Sequence, residues 1–183
     1  MNQQYPKRKN PRLKGYDYSR VNAYLITICS YNKKHFFGHV IPGDMLTPSV
    51  CSLSRYGEIA KHELLNLENR FPYLTIDNFI VMPNHIHILL SLHETNEPRK
   101  DVSAIVRAYK SLTMRQCRQV GFSAPHLFQD SFNDEIIRNE NHYLNSWNFV
   151  EYNAENGYGT NITPHRRAGA CSRRPARTSS SAP

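Results

Sequence analysis

The sequence predicts an α+β fold, a mainly antiparallel sheet with helices packed on it. Three observations lead to this prediction. Short apolar segments with the two-residue period of strands are interspersed with longer segments that have helical spacing. The two kinds do not follow the regular strand–helix rhythm of a parallel sheet. With 183 residues, 39% of them hydrophobic, the chain is long enough for one core and hardly for two.

The first half of the chain contains two predicted strands and one predicted helix. Residues 23–30 alternate apolar side chains and predict a buried strand. Residues 35–40 are its predicted partner, reached through the polar turn 32–34. Residues 54–69 have apolar side chains at helical spacing with charged ones outside, which predicts a helix that Pro72 ends.

Two further strands, 75–81 and 85–92, are predicted on either side of Pro83, which forces a bend or an edge position. The second strand begins with two histidines around an isoleucine. Because side chains alternate along a strand, His85 and His87 project from the same face. Two adjacent imidazoles on a rigid strand can share one divalent cation. The alternative is a polar edge strand whose histidines only face solvent.

The last part of the chain contains a long helix, a strand and a final helix. Asp101 is a natural N-cap for a helix over 102–119, which has a continuous apolar stripe. Residues 128–137 are strand-like, and residues 139–153 predict the last helix, with large apolar side chains on one face.

Basic residues are concentrated at the two ends. Residues 1–14 contain five Lys and Arg, residues 165–183 contain five Arg, and all fifteen acids lie between them. This distribution suits a polyanionic partner, because each phosphate that is neutralised releases counterions. The alternative is a pair of solvated tails, which we prefer for the C-terminal end. We therefore predict a basic arm over 1–14, a domain over 15–159 and a disordered tail over 160–183.

Several classes of protein are disfavoured by the sequence. No run approaches the roughly 18 apolar residues of a membrane helix, and no signal-peptide pattern begins the chain, so we expect no membrane partner and an intracellular location. No phosphate-binding P-loop is present, so we expect no nucleotide cofactor. The four cysteines are widely scattered, which favours free thiols over disulfides (Cys29, Cys51, Cys117 and Cys171).

A run of motifs in a fixed order carries a family resemblance. The segments that match are 12–19, 24–29, 37–38, 81–90, 105–111 and 128–140. Together they span about residues 12–157, and 81–90 contains the His–hydrophobe–His (HUH) motif. The sequence resembles the REP-associated tyrosine transposases of the insertion-sequence-200-like superfamily.

The resemblance implies a ferredoxin-like fold whose central strand presents His85 and His87 to a divalent metal, Mg²⁺ or Mn²⁺. It implies cleavage and rejoining of single-stranded DNA beside hairpins of palindromic repeats, through a 5′-phosphotyrosine, as in DNA transposition. It also implies a bacterial cytoplasmic, nucleoid-associated protein. Some family members dimerise by exchanging their tyrosine helices, and the sequence leaves a homodimer open.

The last helix departs from the family pattern Tyr-Ile-x-x-Asn-Pro. Phe149 occupies the position of the nucleophilic tyrosine and has no hydroxyl group. Asn153 fits the position of the third metal ligand, although an Asn near a helix end is also a common C-terminal residue. Tyr152 is the closest substitute nucleophile, and its alternative is an exposed aromatic side chain near a helix end.

Six residues are candidates for DNA contact, because basic side chains bind phosphates and aromatic rings stack on unpaired bases. The alternative is a set of solvated surface residues and a flexible arm. The candidates are Lys14, Tyr16, Arg107, Lys110, Gln129 and Arg138.

Three functional hypotheses follow. The first is an enzyme, a metal-dependent single-strand DNA endonuclease and transesterase of the transposase type. The second is a domesticated DNA-binding protein of the same fold that has lost cleavage because of Phe149. The third, a ferredoxin-like RNA-binding domain, lacks the usual aromatic pattern on a strand. We lean towards the first.

Overall fold

The computed structural model describes residue 13, residues 15–41 and residues 50–158, with the backbone alone for 50 and 152–158. The predicted C-terminal tail, Lys14 and all of the basic arm except Leu13 lie outside this part. The elements are β1 Ala23–Cys29, β2 Gly38–Ile41, β3 Val50–Leu53, α1 Arg55–Leu65, α2 Leu67–Arg70, β4 Leu74–Met82, β5 His85–Leu92, α3 Val102–Gln119, β6 Asn133–Ile136 and α4 Glu140–Tyr158.

Four strands form the main sheet in the order β4-β5-β1-β6, and every neighbouring pair is antiparallel. One helical crossover, through α1, joins β1 to β4, and another, through α3, joins β5 to β6. This is the β-α-β-β-α-β arrangement of ferredoxin-like folds. The predicted α+β, ferredoxin-like class is confirmed, and β5, which begins with His85, lies inside the sheet between β4 and β1.

The sheet separates two cores. On one face α1 and α3 cover the larger core, which includes Ile26, Ile86 and Tyr109. On the other face α4 packs over β4 and β5 on a smaller core formed by Ile80, Met82, Leu89, Ile137 and Val150. Because His85 and His87 alternate with Ile86 along β5, they lie on the α4 face. No helix within the described ranges is long and apolar enough to span a bilayer.

The predicted pairing of residues 35–40 with the first strand is wrong. Only Gly38–Ile41 forms a strand, and it pairs with Val50–Leu53, which the sequence analysis missed, in a separate two-stranded sheet. Both edges of β1 are already occupied by β5 and β6. Asn32 and Lys33 also adopt positive φ angles of 53°, which turns the chain away from β1.

Two other elements are shorter than predicted. The helix predicted over 54–69 is divided at Asn66 into α1 and α2. The strand predicted over 128–137 pairs regularly with β1 only over Asn133–Ile136, with one isolated bridge between Ser30 and Phe128. Between these two pairings, the chain leaves β1 because three of its carbonyl groups are bound elsewhere.

Lys110 on α3 binds those carbonyl groups. Its Nζ donates to the backbone oxygens of Gln129, Asp130 and Ser131 at 2.7, 3.2 and 3.1 Å. The ammonium also lies 5.8 Å from the centre of the Phe132 ring. Hydrogen bonds from charged donors are stronger than neutral ones, so Lys110 fixes the segment that leads into β6.

We expect Lys110→Met to lower the free energy of unfolding by about 2–4 kcal/mol, because three carbonyl groups lose one charged donor. Urea denaturation followed by circular dichroism measures the change. Lys100→Met is the matched control, since the Lys100 side chain is exposed and only its backbone N–H makes a hydrogen bond among the described residues. It should change stability by less than about 0.5 kcal/mol. Equal stability of the two variants would show that water replaces the ammonium without loss.

Candidate functional site

The two histidines of β5 form the centre of the candidate site. Their ring centroids are 4.7 Å apart and the rings meet edge to face. In the strand register His85 lies between Met82 and Cys29, and His87 lies between Ile80 and Thr27. The pair is therefore held by three adjacent strands, which is a rigid support for a site.

Each histidine has a hydrogen bond at Nδ1. His85 Nδ1–H donates to Asn84 Oδ1 at 2.7 Å, which leaves the lone pair of that ring on Nε2. His87 Nδ1 lies 2.8 Å from Thr27 Oγ1, and when this hydroxyl accepts, Nε2 carries the lone pair there too. Metal-binding histidines in proteins are oriented in this way, by a partner on the other ring nitrogen.

Burial keeps His87 neutral. Its side chain is 7% exposed, and burial, followed by the neighbouring His85, lowers its pKa to about 3. An imidazole with such a low pKa is unprotonated at neutral pH, and the neutral form is the one that binds metals.

The two histidine Nε2 atoms are suitable donors for a divalent cation. Two imidazoles with hydrogen-bonded Nδ1 atoms suit several divalent metals, and further ligands must come from elsewhere. Within the described residues, 15–41 and 50–158, no group of three His, Cys, Asp or Glu side chains could hold a metal ion. The side chain of Asn153, the predicted third ligand, and that of Tyr152 lie outside the described residues, although both belong to α4.

Phe149 on α4 contacts one of the two histidines, His87. Its ring centroid is 4.9 Å from that of His87, in an edge-to-face arrangement. The side chain is 46% exposed, so one edge of the ring faces solvent. The position at which the family pattern has its tyrosine is therefore next to the histidines.

The anchoring of α4 explains this position. Val150 and Trp147 pack on the smaller core, and Asn78 Nδ2 donates to the Trp147 carbonyl at 3.4 Å. Near the start of the helix, Tyr143 hydrogen-bonds the Asp77 carboxyl group, which also accepts from Ser91 Oγ at 2.5 Å. Burial raises the pKa of Asp77. These contacts hold residues 143–150 of α4 to the sheet.

Comparison with known proteins identifies relatives of this arrangement. An uncharacterized protein of Haemophilus influenzae (strain KW20 Rd) is 31% identical over 164 residues, which cover 80% of this chain and 87% of that protein. The two proteins belong to one family. No family model matches the sequence.

A solved structure of a REP-associated tyrosine transposase bound to a REP hairpin has the same fold. It superimposes with a TM-score of 0.59 at 16% identity, over 80% of this chain and 74% of that one. The resemblance inferred from the motifs is thereby confirmed at the level of the fold. This chain has the fold of the REP-associated tyrosine transposases.

On this transposase fold, one predicted DNA contact lies near the histidine pair. The Gln129 N–H donates to the Cys29 carbonyl at 2.9 Å. Cys29 is paired with His85 in the sheet, so Gln129 lies beside this pair of residues. Lys110 fixes the same segment through its carbonyl groups. The sequence predicted both residues as DNA contacts, and that role stays a prediction.

The other predicted contacts lie apart from the pair. Arg107 is exposed on α3, which packs on the opposite face of the sheet. Arg138 follows Ile137, whose N–H donates to Ala23 at the far end of β1. Tyr16 is at that same end, with its hydroxyl 3.4 Å from that of Tyr24.

Thr27 and Asn84 contact the two histidines and are not named in the sequence analysis. Asn84 stands in the turn before His85, where the sequence analysis names only Pro83. Thr27 faces His87 only because β1 and β5 pair in one particular register. The alternating pattern of β1 shows which face Thr27 is on, whereas its partner depends on a pairing that the pattern does not specify.

Proposed function

We propose that this chain binds single-stranded DNA hairpins and holds Mg²⁺ or Mn²⁺ on His85 and His87, as a protein of the transposase type. The observation that carries the proposal is the position of α4 residue 149 against His87, the neutral member of the histidine pair, on the fold of a REP-associated tyrosine transposase. Such a protein would act in the bacterial cytoplasm on nucleoid DNA.

The cation would supply Lewis-acid polarisation of a scissile phosphate. Thr27 and Asn84 orient the two imidazoles, and Asn153 is the proposed third ligand. Gln129 lies beside the paired residues Cys29 and His85 and is the proposed contact for the DNA strand near the phosphate. Lys14, Arg107 and Arg138 are proposed contacts for more distant parts of the hairpin, through their charge.

Strand cleavage needs a hydroxyl group, which Phe149 lacks. We propose Tyr152 as the substitute nucleophile. Its position three residues later on the helix corresponds to about 300° of rotation, roughly 60° short of a full turn from Phe149. Attack by the phenolic oxygen on phosphorus would form the phosphotyrosine bond and release the 3′-oxygen, which takes up the proton.

A second candidate function is DNA binding without cleavage. Phe149 favours it, because the side chain next to the histidines has no nucleophilic atom. The two functions share the fold, the metal site and the hairpin ligand, and differ only in covalent chemistry.

One set of measurements tests both. The full chain is titrated with Mn²⁺ and followed by electron paramagnetic resonance, then incubated with labelled hairpin oligonucleotides from repeats near its gene. We expect one Mn²⁺ site that His87→Ala removes and Thr27→Val weakens. Hairpin binding without Mn²⁺ binding would contradict the metal site, and no hairpin binding would contradict the whole proposal.

Denaturing gels separate the two candidate functions. An adduct that is lost in both His87→Ala and Tyr152→Phe would establish the enzyme with a displaced nucleophile. Tight hairpin binding with no adduct and no nick would establish the DNA-binding protein. An adduct that persists in His87→Ala would contradict the proposed role of the histidines.

A further inference from the structure

The described part of the chain contains a second polar cleft, at the opposite end of the sheet from the histidine pair. Its volume is about 510 Å³, and it is lined by Tyr16, Arg20, Val21, Asn22, Glu94 and Arg99. It lies where β5 ends and β1 begins, since the Leu92 N–H donates to the Asn22 carbonyl. We propose that this cleft binds one unpaired nucleotide of a DNA strand, an inference that rests on the proposed function.

The aromatic wall of the cleft is fixed in place. The Tyr16 hydroxyl accepts from Asn22 Nδ2 at 3.2 Å and lies 3.4 Å from the Tyr24 hydroxyl. Its ring meets the Tyr18 ring edge to face at 5.0 Å between centroids. A fixed ring stacks on a base with little loss of side-chain freedom. Val21, which is 44% exposed, adds apolar surface beside it.

The two arginines provide the phosphate contacts. Arg99 Nη1 donates to the His93 carbonyl at 3.1 Å, and a guanidinium group has four further N–H donors. Arg20 is exposed at the rim. The nearby Asp17 carboxylate accepts from the backbone and hydroxyl of Ser19 at 2.9 and 2.6 Å. These hydrogen bonds, and then the charges of Arg20 and Arg99, lower the pKa of Asp17, so a phosphate would compete with this carboxylate for the two arginines.

Glu94 and Asn22 distinguish a nucleotide site from a plain phosphate site. Carboxylate and amide groups bind the polar edges of bases, whereas a carboxylate repels a phosphate. Asn22 Oδ1 already accepts from Ala23 N at 2.9 Å and one Nδ2–H donates to Tyr16, so Asn22 can offer its second Nδ2–H to a base. The aromatic wall, the two arginines and the polar groups of Glu94 and Asn22 together match the base and the phosphate of a nucleotide.

The cleft and the histidine pair are far enough apart to contact different parts of one strand. They lie at opposite ends of β5, whose eight residues span about 23 Å from the first to the last. This distance corresponds to several nucleotides of a single strand. The cleft would therefore bind DNA that is not cleaved, and would do so without a metal ion.

The salt dependence of binding tests the proposal. The full chain, without metal, is titrated with a fluorescent single-stranded oligonucleotide at several KCl concentrations. Arg20→Gln/Arg99→Gln should lower the slope of log K against log salt by about 1.4, because each phosphate contact to a single strand contributes about 0.7. The matched control is Arg55→Gln/Arg115→Gln, which removes two exposed arginines outside the cleft and should leave the slope unchanged.

A second measurement tests the base contact. Oligonucleotides with one abasic position, moved along the strand, should reveal a position at which the native chain binds about fivefold weaker or more. Tyr16→Leu should bind all of these strands alike, and circular dichroism checks that it folds. If no position is sensitive, the cleft does not hold a base and the proposal is overturned.

The outcomes separate this inference from the proposed function. If the native chain binds no DNA, the proposed function fails and the cleft proposal fails with it. If the native chain binds DNA and the cleft variant keeps the native slope, the cleft proposal alone fails. An equal loss of slope in the control pair would also overturn it, since the effect would then come from net charge.

Discussion

Phe149→Tyr is expected to give this chain a covalent, metal-dependent adduct with hairpin DNA. The substitution adds one oxygen to a ring that already lies 4.9 Å from His87 and is 46% exposed, so the new hydroxyl needs no space in the core. Loss of a nucleophile can cost an enzyme on the order of 10⁶-fold in rate. We therefore expect adduct formation to rise at least about a hundredfold over the native chain, even with imperfect alignment.

The adduct is measured as a shifted band on denaturing protein gels after incubation with Mn²⁺ and a 5′- or 3′-labelled hairpin. Phe149→Leu is the matched control and should form no more adduct than the native chain. Adding His87→Ala to Phe149→Tyr should abolish the gain. If Phe149→Tyr binds the hairpin normally and forms no adduct in Mn²⁺, residue 149 is not at the scissile phosphate.

Gly57→Ala is expected to destabilise the protein, although alanine is the better helix former. A Cβ at this position would collide with the Phe37 carbonyl oxygen and lie 3.2 Å from the Leu53 Cβ. The Phe37 peptide group cannot move away easily, because its oxygen accepts from Ser54 N at 2.9 Å and its N–H donates to Pro83 at 3.0 Å. Alanine favours a helix over glycine by only about 1 kcal/mol, and overpacking costs about 1–3 kcal/mol or more.

We therefore expect Gly57→Ala to lower the free energy of unfolding by about 2 kcal/mol or more, with a matching fall in the thermal midpoint. Glu58→Ala, at the next and exposed position of α1, should change stability by less than about 0.5 kcal/mol. A thermal midpoint at or above the native value for Gly57→Ala would mean that β2 and α1 separate readily.

Elements with strong local signals were predicted to the residue. The bounds of β5 and α3 agree with the sequence analysis, and Asp101 caps α3 by accepting from Ala104 N at 2.6 Å. The pairing of β2 was predicted wrongly, because strand partners are decided by competition between distant segments. The strand predicted over 128–137 is shorter in the structure, where Lys110 binds three of its backbone carbonyl groups. Nothing in the sequence around Lys110 predicts these three contacts.

The candidate site was predictable only in part. Strand alternation placed His85 and His87 on one face, and the structure agrees. Tertiary packing places this face under α4 and brings Phe149 against His87. The spacing of residues in the sequence does not specify either contact. The position of Phe149 was inferred through the family resemblance. The roles of Tyr152 and Asn153 stay predictions.

The two cores on opposite faces of the sheet have a consequence for motion. The core under α4 is small, whereas the core under α1 and α3 is built from most of the buried apolar side chains described. Segments held by few buried contacts open independently, at a lower free energy than global unfolding. We therefore expect α4, which carries residue 149, to open more often than the sheet strand that carries the histidines. Hydrogen exchange of the backbone amides of the two elements measures this difference.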